Sequence, residues 1–179
     1  MAGGYGVMEV RFPHLGHRGI GDADLLCPGS ADDLQDARSI LRAYADSLAL
    51  PAYFREFEEE LASLPGEYSP PSGQLLLAWS DGTVVGCCGL RPLDGTNHAN
   101  SCEMRRLYVA PLYRGRGIGR QLALAQLEFA HLAGYRCVLL DTLSDMEAAR
   151  GLYGELGFEE IPPYYFNPIP GAHYLKANL

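Results

Sequence analysis

Val109-Ala110-Pro111-Leu112-Tyr113-Arg114-Gly115-Arg116-Gly117-Ile118-Gly119-Arg120 joins a strand-like run, Cys102 to Val109, to a helix-like run, Ile118 to Ala133. Three glycines alternate with other residues at its centre. Glycine lets backbone N–H groups come close to a ligand, and the helix that follows opens with unpaired N–H groups carrying partial positive charge. That combination binds phosphate. Arg105, Arg106, Arg114, Arg116 and Arg120 place five of the fourteen basic residues within sixteen positions, so the local field opposes the net charge of −8.

The spacing excludes several familiar phosphate sites. A dinucleotide fingerprint needs G-x-G-x-x-G, whereas Gly115, Gly117 and Gly119 form G-x-G-x-G and position 120 is Arg. A Walker loop needs Gly-Lys-Ser/Thr, and the sole lysine is Lys176. Neither G-x-S-x-G nor H-E-x-x-H occurs, which leaves serine-hydrolase and zinc-protease chemistry without a motif.

Working outward, Ser30 followed by Asp33 predicts a helix N-cap with an acidic first turn. Leu34, Ala37, Leu41, Tyr44 and Leu48 then share one helical face, and Pro51 closes the segment. A second helix carries Phe54, Phe57, Leu61 and Leu64 on a stripe, ends at Pro65-Gly66, and presents Glu56, Glu58, Glu59 and Glu60 as a solvated acidic face. Leu75 to Trp79 and Val84 to Leu90 flank Ser80-Asp81-Gly82-Thr83 and read as a hairpin. After the loop, Leu122, Ala125, Leu127, Phe129 and Leu132 recur at helical spacing, with Gly134 as C-cap. A buried strand over Cys137 to Leu140, a helix over Met146 to Leu156 and strands over Phe158 to Ile161 and Ala172 to Ala177 complete the chain. Hairpins first and alternating helices later predict a mixed sheet with helices on its faces. The expected division is an N-terminal arm over residues 1–22, with a short strand at Val7 to Phe12, and a single domain over residues 23–179.

Composition sets outer bounds. Hydrophobic residues make up 47% and charged residues 20% of the 179, enough for a real core. The acidic balance argues against a general partner in nucleic acid or anionic membrane. No apolar run reaches the roughly 18 residues of a membrane span, and Met1 to Met8 lacks the basic flank of a signal peptide. Cys27, Cys87, Cys88, Cys102 and Cys137 are odd in number and lack ligand spacing, so neither a disulfide framework nor a metal site is expected. The expectation is a cytoplasmic protein in a reducing compartment, without metal, nucleic-acid partner or membrane.

Leu107-Tyr108-Val109-x-Pro111-x-x-Arg114-Gly115-x-Gly117-Ile118-Gly119 resembles the acetyl-CoA motif of the GNAT superfamily of N-acetyltransferases, with its R-G-x-G-[IL]-G core. The later Asp141-Thr142, Ala148-Ala149, Leu152-Tyr153 and Leu156-Gly157-Phe158 resemble the same family, although Asp145-Met146-Glu147 stands where many relatives carry Asn. The resemblance implies an α/β (α+β) fold: a mixed, mostly antiparallel sheet of about seven strands, helices on both faces, and two strands splayed around acetyl-CoA. It implies an N-acetyltransferase that passes the acetyl group directly to a primary amine of a small molecule, in a ternary complex. Two other readings stay open, a non-catalytic CoA-binding sensor and an acetyltransferase for a protein lysine or N-terminus.

Carried over residue by residue, the resemblance puts acetyl-CoA on Leu107, Tyr108, Val109, Arg114, Gly115, Arg116, Gly117, Ile118, Gly119 and Arg120. Backbone groups of Leu107 and Val109 would hold the pantetheine and polarise the thioester carbonyl. Tyr153 matches the family's helix tyrosine, the proton donor to the departing thiolate; a phenol with reference pKa near 10 can protonate a thiolate of roughly 8.5 late in the reaction. Glu103 is the first candidate for the base that deprotonates the amine, with His98 and His173 as alternatives. The aromatic, proline-rich run from Pro162 to Tyr174 suits an acceptor wall, with Tyr164, Tyr165, Asn167 and His173 as substrate-binding candidates. A homodimer is compatible with the family, and no interface is legible in the pattern.

Overall fold

Ser30 starts the first long helix as its sequence requires: its Oγ accepts from the Asp33 N–H, while Asp33 Oδ2 accepts from the N–H groups of Gly29 and Ser30. These backbone donors, Gly29 first, hold the Asp33 carboxyl below its ordinary pKa. The structure is a computed structural model that describes residues 23–48 and 54–179. The strand expected at Val7 to Phe12 and the closure expected at Pro51 lie outside these residues.

The described elements run β1 (Asp24–Leu26), α1 (Ala31–Leu48), α2 (Phe54–Ser63), β2 (Gln74–Ser80), β3 (Thr83–Leu93), β4 (Ser101–Val109), α3 (Ile118–Leu132), β5 (Cys137–Leu143), α4 (Glu147–Glu155), β6 (Glu159–Ile161) and β7 (Ala172–Asn178). They build one seven-stranded sheet in the order β1-β2-β3-β4-β5-β7-β6. Every neighbouring pair is antiparallel except β4 with β5. Asp81 and Gly82 take φ of 49° and 72°, the paired positive values of a two-residue hairpin turn, and join β2 to β3.

Both faces of the sheet are covered. Along β2, Leu76 and Ala78 enter the cluster beneath α3 and α4, while Leu75 and Leu77 enter the cluster beneath α1 and α2. This two-sided burial explains the unbroken apolar run in β2. On α3 the buried positions are Ile118, Leu122, Ala123, Ala125, Gln126 and Ala130. Leu132, expected on that stripe, is 75% exposed, because Gln126 and Ala130 occupy the turns that face the sheet.

Gln126 has a particular task. Opposite β3, Tyr108 pairs with Cys87 and Arg105 with Gly89, so Arg106 and Leu107 share the place facing Cys88. Arg106 takes φ of 59° in this bulge. The bulge interrupts the ladder at Cys88, and the buried Gln126 Nε2 donates to the Cys88 carbonyl at 2.7 Å. The fold thus fixes an irregularity in β4 with a polar group that would otherwise be expensive to bury.

Candidate active site

Strand β4 meets β5 at only three register positions, Ser101 with Cys137, Cys102 with Val138 and Glu103 with Leu139. Beyond them the two parallel strands part. From Met104 onward the β5-facing edge of β4 has no strand partner, and a cleft opens between Met104 to Leu107 and Asp141 to Leu143. Tyr153 and Ala149 of α4 close it on one side, Tyr44 and Phe57 on another, Tyr165 and Asn167 on a third.

The glycine loop stands at the end of β4. Pro111–Tyr113 forms a short 3-10 turn, and Gly117, with φ of 81°, precedes α3 without any side-chain cap. The first bond into the helix runs from Gln121 N–H to the Gly117 carbonyl, so the N–H groups of Ile118, Gly119 and Arg120 have no partner within α3. Gly115 also needs left-handed backbone, at φ of 74°. Parted strands leading to an uncapped helix N-terminus fit an extended ligand that ends in phosphate.

The five-arginine patch expected around this loop divides in two. Arg114, Arg116 and Arg120 stay with the loop. The Arg114 guanidinium lies 5.7 Å from the Tyr108 ring and donates to the Val109 carbonyl at 2.8 Å. Arg116 lies 5.2 Å from the Tyr113 ring, and Arg120 pairs with Glu155 at 2.7 Å. Arg105 and Arg106 belong to the opposite end of the cleft, because the bulge turns them toward α2. Tyr108 is itself buried on the α1 side, in edge contact with Tyr44. Its ring supports the strand, and it is not among the residues that line the cleft.

Tyr153 lines the cleft, 6% exposed, its ring packed 5.5 Å from that of Phe158. No described protein group hydrogen-bonds its hydroxyl. Burial, seconded by the Cys88 thiol, raises its pKa well above the ordinary phenol value. The group is therefore a protonated hydroxyl at neutral pH.

Arg105, Arg106, Phe57 and Tyr165 line the cleft and also a neighbouring open basin of about 1000 Å³. Glu103 lies in its floor, 3% exposed, with both oxygens engaged: Tyr164 donates to Oε1 at 2.8 Å and Arg91 Nε to Oε2 at 2.9 Å. Burial first, and then the Glu103 carboxylate, push the Tyr164 phenol upward, so Tyr164 is the donor of that pair. Tyr165 and Asn167 reach the cleft, where Asn167 Nδ2 donates to Asp141 Oδ2 at 3.0 Å. Tyr164, Tyr165 and Tyr174 form an aromatic cluster with ring centroids 5.2 to 5.4 Å apart.

The two candidate histidines, His98 and His173, are not brought to this site. His173 Nδ1 lies 2.8 Å from Glu160 Oε1, its Nε2 lies 2.9 Å from Ser144 Oγ, and it lines neither cleft nor basin. His98 sits in the loop after β3, its N–H donating to Thr96 Oγ1. Among the described residues no group of three or more His, Cys, Asp or Glu could hold a metal ion, and no helix is long and apolar enough to cross a membrane.

Glu60 corrects the reading of the acidic run as a wholly solvated face. Its side chain is only 13% exposed and is held by Arg106 and by the Tyr68 hydroxyl. The signal was present: Glu60 follows Phe57 by three residues and precedes Leu64 by four, in phase with the apolar stripe. Asp141 and Arg91 are further members of the site that periodicity did not single out.

Residues 34–158 match the family model described as the acetyltransferase (GNAT) family. Over 148 residues the chain is 34% identical to an uncharacterized N-acetyltransferase of Schizosaccharomyces pombe, covering 82% of this chain and 89% of that protein. It is 36% identical over 110 residues to an N-acetylaspartate synthetase of Xenopus tropicalis, covering 61% of this chain and 40% of that protein. The PaiA N-acetyltransferase of Thermoplasma acidophilum, solved in complex with coenzyme A, shares the fold at a TM-score of 0.68 and 20% identity, over 88% of this chain and 99% of that one. With its parted strands, glycine loop and family match in register, the chain belongs to the GNAT family and is an acetyl-CoA-dependent N-acetyltransferase.

Proposed function

We propose that the chain acetylates the primary amine of a small molecule by direct transfer, with acetyl-CoA and acceptor bound together. The observation that carries this is that the β4–β5 cleft and the basin lie side by side, with Arg105 and Arg106 lining both. Two ligands entering from opposite ends meet at the bulge of β4. A concave basin lined largely by charged and polar side chains suits a small polar solute. The similarity to proteins named N-acetylaspartate synthetase supports the same class of acceptor.

The thioester supplies the acetyl group and, as it breaks, a thiolate. Leu107 and Val109, on the partnerless edge of β4, offer backbone groups to the pantetheine and a fixed donor to the oxygen on which charge develops. The N–H groups after Gly117, with Gly115, Arg114, Arg116 and Arg120, receive the pyrophosphate. Tyr153 gives its proton to the departing sulfur. Glu103 takes the amine proton through the Tyr164 hydroxyl, which passes its own proton to Oε1, or through water. Tyr164, Tyr165 and Asn167 form the wall against which the acceptor packs.

The test is CoA release by the purified protein with acetyl-CoA against free amines, amino acids and basic peptides. The reading requires release with free small amines. Release confined to peptides would overturn it.

A further inference from the structure

We propose that Arg105 is the carboxylate anchor of the acceptor site, so that the acceptor is a free amino acid. This rests on the small-amine reading above and names its substrate class.

Three arginines reach the basin floor, and they differ in how their donors are used. Arg91 is engaged by Glu67 at 2.6 Å and by Glu103 at 2.9 Å. Arg106 grips both oxygens of Glu60, at 2.6 and 3.1 Å. Arg105 stands apart: among the described residues its closest carboxylate oxygens are on Glu103 at 3.7 Å and on Glu60 at 3.9 Å, both beyond hydrogen-bond reach. Those acids hold the guanidinium in place by charge and leave its N–H fork unused. Its side chain is 22% exposed, shielded from bulk water yet open to a solute.

Position makes the spare fork meaningful. Arg105 lines both cleft and basin, at the junction where an acceptor amine must stand to reach the thioester. A planar guanidinium with parallel free N–H groups matches a carboxylate and offers nothing to an ammonium. The surroundings supply the complement. Glu56 and Asp94 line the same basin and favour a cation there. A solute bearing both an ammonium and a carboxylate satisfies the two fields together, and a carboxylate on Arg105 places the adjacent amine beside Tyr164 and Glu103.

The experiment compares L-amino acids with their α-carboxamides as acceptors, in the wild type and in Arg105→Gln and Arg105→Lys. The expected wild-type preference for the acid, measured as a ratio of kcat/KM values, falls about 10- to 100-fold in Arg105→Gln, the range of a lost charge-assisted pair. Arg105→Lys, which keeps charge without the fork, recovers part of it. A wild type that does not distinguish acid from amide, or a ratio unchanged in Arg105→Gln, overturns the proposal. Calorimetric titration of the same amino acids into the CoA-loaded protein reads the anchor without turnover. Amino-acid binding that depends on Arg105, with no amine acetylated, overturns the transfer reading and upholds the anchor.

Discussion

Glu60 and Arg106 form a two-bond ion pair, Nη2 to Oε2 at 2.6 Å and Nε to Oε1 at 3.1 Å, which ties α2 to the bulge of β4. The Arg106 guanidinium also lies 5.2 Å from the Phe57 ring, and its side chain is 9% exposed. The pair therefore fixes the wall shared by cleft and basin. Glu60→Ala strands a buried cation and is expected to cost about 3–5 kcal/mol, read as a fall in Tm of roughly 10 °C.

The same pair predicts a pH dependence. Burial raises the Glu60 pKa, but bonding to Arg106 and the charges of Arg106 and Arg105 outweigh it, leaving a net value below the ordinary carboxylate. A depressed folded-state pKa gives stability that is present above the unfolded carboxyl value and lost as pH falls through the folded value. The Tm gap between wild type and Glu60→Gln should be full at pH 7 and should close below about pH 4. A gap that stays constant into acid would place the stabilisation elsewhere.

Gly117→Val should weaken acetyl-CoA binding sharply. A branched residue at φ of 81° carries strain of about 1–3 kcal/mol and moves the N–H groups that open α3. The loop is exposed, so Tm should fall by only a few degrees. Binding to the wild type should weaken as ionic strength rises. Calorimetry at two salt concentrations checks both statements, and an unchanged affinity in Gly117→Val would remove the loop from the binding site.

Tyr153→Phe keeps the ring that packs on Phe158 and removes only the hydroxyl of this cleft-lining side chain. Turnover should drop by about 10²–10⁴-fold, the usual range for a lost general acid, with acetyl-CoA affinity and Tm close to wild type. A loss of only about twofold, well under that range, would make Tyr153 a packing residue.

Glu103→Gln should lower kcat while acetyl-CoA affinity holds, with the largest loss at low pH, where more of the amine arrives protonated. Tyr164→Phe removes the hydroxyl that donates to Glu103 and should reproduce that pH profile in part. Full activity of Glu103→Gln across the pH range would require another proton path.

What the sequence disclosed follows local chemistry. Ser30 with Asp33, Asp81-Gly82, Gly117 and Gly134 each enforce a backbone geometry through their own side chains or the lack of one, and each stands where its residue type predicts. The loop was singled out by the spacing of its glycines and arginines, and Tyr153 by the family resemblance alone. The pairs Arg91 with Glu103 and Arg106 with Glu60 were not legible, since they span 12 and 46 residues and the second depends on a bulge that no periodicity announces. His173 shows the converse: a reactive residue type in a suggestive run, already engaged by Glu160 and Ser144.

Direct transfer needs no acetylated side chain on the protein; among the described residues no cysteine lines the cleft, and Cys87, Cys88, Cys102 and Cys137 are buried in the sheet. Initial rates measured over a grid of acetyl-CoA and small-amine concentrations test it most directly. Direct transfer predicts intersecting double-reciprocal lines and no CoA release until the amine is added. Parallel lines, with one equivalent of CoA released before the amine and an acetyl group found on the protein, would contradict it.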